Sequence, residues 1–200
     1  MKLKALFDGK NKPVFLWTLL SVTVFVSFLG LLLPPVFEHL CFVTRPDHIW
    51  QVFTGIFVHI INPVGIFFVH LGMNLIGLIP FGILLEKRIG TKTLALFTLG
   101  VWLLTSLLFQ LITWNNPSSA AGISAIGYAY AGAGFPYAFS LLKGHWKEAA
   151  KQPLFWYFAF EAVGLLSQLN PLLGTTSLLL HTAGLLSGIL FSLLYRRKHP

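Results

Sequence analysis

Four long stretches without charge constrain this chain more than any other feature. Residues 13–37, 48–85, 93–142 and 162–195 contain no Asp, Glu, Lys or Arg. A soluble domain carries charge on about a quarter of its residues. Here 10% are charged and 56% are hydrophobic. Apolar runs beyond roughly 18 residues are long enough to cross the hydrocarbon core of a bilayer as helices. A helix also satisfies its own backbone polar groups in lipid. The sequence therefore predicts an all-α membrane protein: a six-helix bundle with spans near 14–33, 65–85, 93–113, 123–142, 153–169 and 177–195. It reads as a single domain over 1–200, with short tails 1–12 and 196–200. Turn-forming residues mark the joints at Pro34-Pro35, Asn115-Asn116-Pro117 and Asn170-Pro171.

The net charge of +8 suggests nucleic acid only if its placement is ignored. All Lys and Arg except Arg45 fall in four clusters: Lys2/Lys4/Lys10/Lys12, Lys87/Arg88/Lys92, Lys143/Lys147/Lys151 and Arg196/Arg197/Lys198. With six spans, all four clusters lie on one side of the membrane. The positive-inside rule makes that side cytoplasmic and places both termini there. The expected surroundings are a lipid bilayer, with no nucleic-acid partner. The first apolar run, Val14 to Leu33, is too long for the core of a signal peptide and reads as a retained span. The lone Cys41 excludes an intrachain disulfide. Residues 34–64 form a long connection carrying Trp50, Phe53 and Phe57 with few charges, a composition suited to the membrane interface.

Polar side chains within the spans are costly and mark functional positions. His70 and Asn74 lie early in the second span, Ser124 opens the fourth in GISAIG, and His181 lies early in the sixth in HTAGLLSG. These three spans run in one direction, so the four side chains share a depth near the outer face. From Ser124, Gly127, Ala131 and Gly134 follow at helical spacing; from His181, Gly184, Gly188 and Ser192 do the same. Small faces let membrane helices approach closely. Spans four and six are therefore expected to pack with Ser124 facing His181.

The chemistry these residues can support is acyl transfer. A serine hydroxyl needs a base to become a nucleophile, and His181 is the candidate. No carboxylate is placed to orient that histidine, so a Ser-His dyad is the economical reading. The developing oxyanion needs donors. His70 and Asn74, four apart on one helical face, and the free backbone N–H of Ser124 at a helix start can supply them. Gly122 and Gly127 flank the serine as small supporting positions. His59 reads as a hydrogen-bonded structural residue. Glu86 reads as a group bonding helix ends on the inner side. Glu161, the only carboxyl within a span, has no assignable partner. Two other readings stand beside the hydrolase: a non-enzymatic binder of membrane helices, and a transporter or metal carrier using His59, His70 and His181. No Cys or placed carboxylate accompanies those histidines, and no metal or cofactor is expected.

In order along the chain, IWQVFTGIFVH, HLGMN, LEKRIG, GISAIGY and HTAGLLSG resemble the shared motifs of the rhomboid intramembrane serine proteases, over nearly the whole length. The resemblance implies Ser124 as nucleophile, His181 as base, and an oxyanion hole of His70, Asn74 and the Ser124 N–H. It makes Tyr128 the aromatic beside the histidine, and puts a lateral gate near Trp156, Tyr157 and Phe160. The compact form is similar to the bacterial six-span members. That implies a bacterial plasma (inner) membrane and single-span membrane proteins as substrates, cut near the outer face through an acyl-enzyme. Two departures stand out: Ala125 follows the serine where the family has glycine, and the stretch from His59 to His70 is unusually long.

Overall fold

The structure is a computed structural model and describes residues 11–141, 151, 153–169 and 175–198. Among these residues it holds eight α-helices: α1 Val14–Leu32, α2 Pro34–Leu40, α3 Gln51–Thr54, α4 Val64–Ile89, α5 Thr91–Thr113, α6 Ser124–Leu141, α7 Pro153–Ser167 and α8 Thr175–Lys198. A two-residue strand pair, β1 Phe42–Val43 and β2 Ser119–Ala120, joins antiparallel with Phe42 opposite Ala120. Four helices are long and apolar enough to cross a membrane: α1, α4, α5 and the Thr175–Tyr195 part of α8. The shorter Leu154–Ser167 segment is likewise apolar. The expected basic clusters at 2–10 and 143–147 lie outside the described residues.

The helices pack through polar groups that lipid cannot satisfy. Glu86, fully buried near the end of α4, accepts the backbone N–H groups of Phe15 and Leu16, both at 2.8 Å. It also accepts the Thr91 hydroxyl at 2.7 Å. One carboxylate thus caps the open start of α1 and ties the start of α5 to the same point. We expect Glu86→Ala to destabilise the protein by about 2–4 kcal/mol, because it strands one buried and one half-buried N–H group and removes charge-assisted bonds. Thermal unfolding in detergent would measure this.

The connection between α1 and α4 docks against α5. Gln110 donates to Val43 O and accepts the Arg45 N–H, both at 2.9 Å. The Trp102 indole donates to Val52 O at 2.9 Å, and Thr44 bonds Thr113 at 2.6 Å. The long stretch before His70 divides in two. Residues 60–63 extend the connection, whereas Val64–Val69 form the first turns of α4. Most of the added length therefore goes into helix, where its backbone bonds are met internally, rather than into the connection.

The most extensive helix contact is between α6 and α8. A Cβ on Gly184 would collide with the carbonyl oxygen of Ala125, and one on Gly188 with that of Ala129. From the other side, Gly132 lies against the Leu185 carbonyl. The face of α6 that meets α8 is displaced by two residues from the expected one. Gly127 lies against Leu78 and Gly134 against Phe81, both on α4. Ala125, Ala129, Gly132 and Ala133 meet α8 instead. The physical reason is that α6 is small on two nearly opposite faces, about 160° apart, and spacing alone does not choose between them.

Candidate active site

Local backbone geometry first brings the start of α6 to the flank of α4. Gly122 has φ 113°, a conformation that side-chain-bearing residues rarely adopt. Its N–H donates to Gly55 O at 3.1 Å. A Cβ there would lie 3.0 Å from His70 Cε1 and 3.4 Å from Asn74 Nδ2, so the bare backbone fits where a side chain would crowd both. Helix α6 then begins at Ser124. The Ile123 carbonyl accepts from Ile126 and Gly127, so the Ser124 N–H precedes the first bond of the ladder.

Ser124 Oγ lies 2.6 Å from His181 Nε2. The Tyr128 ring, one turn below the serine, stacks on the imidazole with centroids 4.5 Å apart and planes 29° apart. On the far side of the ring, His181 Nδ1 is 2.7 Å from Gln168 Oε1. Gln168 Nε2 donates to the Gly164 carbonyl at 3.1 Å. A carbonyl can only accept, which fixes the direction of every bond in the row. Gln168 turns its NH2 to Gly164 and its oxygen to the histidine. His181 carries its proton on Nδ1, so Nε2 presents a lone pair to the Ser124 hydroxyl.

A second row ends at Asn74 and is directed in the same way. The Ser27 hydroxyl donates to Phe57 O at 2.9 Å, so its oxygen accepts the His59 Nδ1–H at 2.8 Å. His59 Nε2 then accepts from Asn74 Nδ2, also at 2.8 Å. One amide hydrogen of Asn74 is thereby used and the other is left for the site. Burial, and secondarily the nearby His70, lowers the pKa of His59 to about 3, which keeps it neutral and able to accept. His59 is fully buried and bonded at both nitrogens. His70 Nδ1 is buried without a hydrogen-bond partner. A proton on Nε2 would leave only an acceptor unmet at Nδ1 and would aim the N–H of His70 at the site.

Two cavities meet at these residues. A cavity of about 640 Å³ is bounded by the α1–α4 connection, the segment before α6 and the start of α8, and includes Ser124, Ala125, His70, Ser177 and His181. A second, of about 530 Å³, lies between α4 and α7 and is lined by His70, Asn74, Ser124 and His181 together, with Gly127 and Tyr128 below them. Gly184 and Gly188 sit behind the serine, where they hold α8 against α6. Among the described residues no group of three His, Cys, Asp or Glu gathers at metal-holding distance.

Gln168 and Ser27 escaped the reading of the sequence. Gln168 follows the last turn of α7, where a polar residue reads as a helix end. The available signal was depth: it stands at the same end of the bundle as His181. Ser27 lies inside an apolar run and had no visible partner.

A rhomboid domain family model matches residues 46–198. No curated protein matches the chain. On the strength of that family match over most of its length, this chain belongs to the rhomboid family, membrane proteins that are in general intramembrane serine proteases.

Proposed function

We propose that this protein is an intramembrane serine endopeptidase that cuts single-span membrane proteins near the outer face of the membrane by a Ser-His dyad. The observation that carries the reading is the 2.6 Å bond from Ser124 to His181 at a cavity shared with His70 and Asn74. In this mechanism Ser124 Oγ attacks the substrate carbonyl while its proton passes to His181 Nε2. The oxyanion is met by the Ser124 N–H, the His70 Nε2–H and the free hydrogen of Asn74. His181 then gives its proton to the departing amine, and water hydrolyses the acyl-enzyme. The larger cavity, next to the serine and rich in hydroxyl groups, is the water route. The gap between α4 and α7 is the entry for a substrate helix, which must unwind locally because helical carbonyls are otherwise engaged.

We further propose six spans, with α6 and α7 as two of them, both termini cytoplasmic, and a bacterial plasma membrane as the location. The clustering of Lys and Arg supports this arrangement. The test of function is to incubate purified protein with a panel of single-span substrates. Wild type should cut at least one, and Ser124→Ala none; equal cutting by both would overturn the reading.

Two variants test the supporting residues. Asn74→Ala removes an oxyanion donor and should lower kcat by about 10²–10³, with folding checked by thermal unfolding. Gln168→Leu removes the acceptor for His181 Nδ1–H, worth about 0.5–1.5 kcal/mol. It should lower kcat by roughly 3–10-fold with little change in KM, and Gln168→Glu, which keeps an acceptor there, should restore most of the rate.

A further inference from the structure

The second cavity contains a group the mechanism above does not use. Glu161, on α7, lines it and is only 8% exposed. Among the described residues no hydrogen bond to its carboxyl is found. Its Oε1 stands against the bare backbone of Gly77 on α4, in a space that a Cβ on Gly77 would occupy. The surrounding walls are formed by Met73, Gly127, Tyr128, Phe160 and Gly164. Met73, Phe160 and the glycines offer no side-chain donor, and the Tyr128 hydroxyl, the donor in this wall, makes no hydrogen bond to the carboxyl among the described residues.

Depth relates this group to the dyad. Glu161 lies on α7 seven residues before Gln168, which follows the end of that helix, about 10 Å along the axis, and Gln168 touches His181. On α4, Gly77 lies seven residues beyond His70, which gives a matching offset. The cavity is thus a slot with Ser124, His181 and the oxyanion donors at its mouth and a carboxyl at its base. A buried carboxyl without a partner is costly. A long side chain with a terminal cation would meet it, while its hydrocarbon stem lay along the apolar walls.

Resting on the protease reading above, we propose that this slot is a specificity subsite for lysine or arginine. The side chain of the substrate residue that supplies the cleaved carbonyl enters between α4 and α7 and pairs with Glu161. Lys and Arg gather mainly at the cytoplasmic ends of single-span helices, but a basic residue at the outer end can still snorkel along the interface, so the subsite would select the substrates that carry one there.

The experiment uses the full protein in detergent and a single-span substrate whose cut is mapped by mass spectrometry. The residue supplying the cleaved carbonyl is then varied among Lys, Arg, Leu, Met and Glu. Wild type should prefer Lys and Arg over Leu and Met by at least about tenfold in kcat/KM, the scale of a charge-assisted hydrogen bond. Glu161→Leu should abolish that preference, and Glu161→Lys should shift it to Glu. Labelling of Ser124 by a fluorophosphonate confirms that each variant retains a folded site. Equal cleavage of Lys and Leu substrates by wild type overturns the subsite, as does a preference unchanged in Glu161→Leu. Failure of wild type to cut any substrate or to take the label overturns the protease reading, and the subsite with it.

Discussion

Ser124→Ala and His181→Ala are each expected to lower kcat by about 10⁴–10⁶, and the double variant to be no slower than the worse of the two. The reason is geometric. On the proposed mechanism the 2.6 Å bond joins the two side chains into one device: the hydroxyl is a weak nucleophile without the imidazole, and the imidazole has nothing to activate without the hydroxyl. If they acted separately, their losses would multiply. Single-turnover assays at saturating substrate, which isolate the chemical step, would show the non-additivity. Multiplicative losses would show that His181 acts elsewhere. Residual cutting in the double variant would come from the oxyanion donors alone.

Gly188→Val should have the largest effect on the fold. A Cβ there collides with the Ala129 carbonyl and would sit 2.7 Å from the Ala133 nitrogen. Both are backbone atoms inside α6, so neither can turn aside as a flexible side chain could. The two helices must separate, and the most extensive helix contact among the described residues is lost. We expect destabilisation of about 3 kcal/mol or more, within the range for overpacking a tight core. Loss of Ser124 labelling by fluorophosphonate should accompany it, because the same contact sets the distance from Ser124 to His181. Gly188→Ala should fall between valine and wild type. Thermal unfolding and labelling, measured together, separate loss of fold from loss of alignment.

Both effects were partly legible in the sequence. Uncharged runs bounded by Pro, Asn and basic residues mark the long helices closely: 14–33 against Val14–Leu32, and 93–113 against Thr91–Thr113. Counting helix directions puts His70, Ser124 and His181 at one end, and the Gly184–Gly188 spacing indicates a close partner for α8. The small face of α6 was not decidable, because Ala125–Ala129–Ala133 and Gly127–Ala131–Gly134 are equally small, and only the shape of α4 assigns each to its neighbour. Gln168 was hidden for a different reason. Its importance lies in a contact between the residue following α7 and the second turn of α8, and no periodicity encodes such a contact. Glu161 was conspicuous by type, yet its surroundings depend on Gly77, a residue that looks like ordinary packing until the two are seen together.

The two directed rows of hydrogen bonds contain no formal charge. Each begins at a main-chain oxygen, Gly164 for the dyad and Phe57 for Asn74, and each aligns its hydrogens through neutral amides, hydroxyls and imidazoles. A soluble hydrolase commonly steers its histidine with an anion, but in a medium that solvates ions poorly such an anion carries a heavy desolvation cost. Here the peptide backbone serves as compass, and dipoles hold the polarity that an ion would otherwise impose.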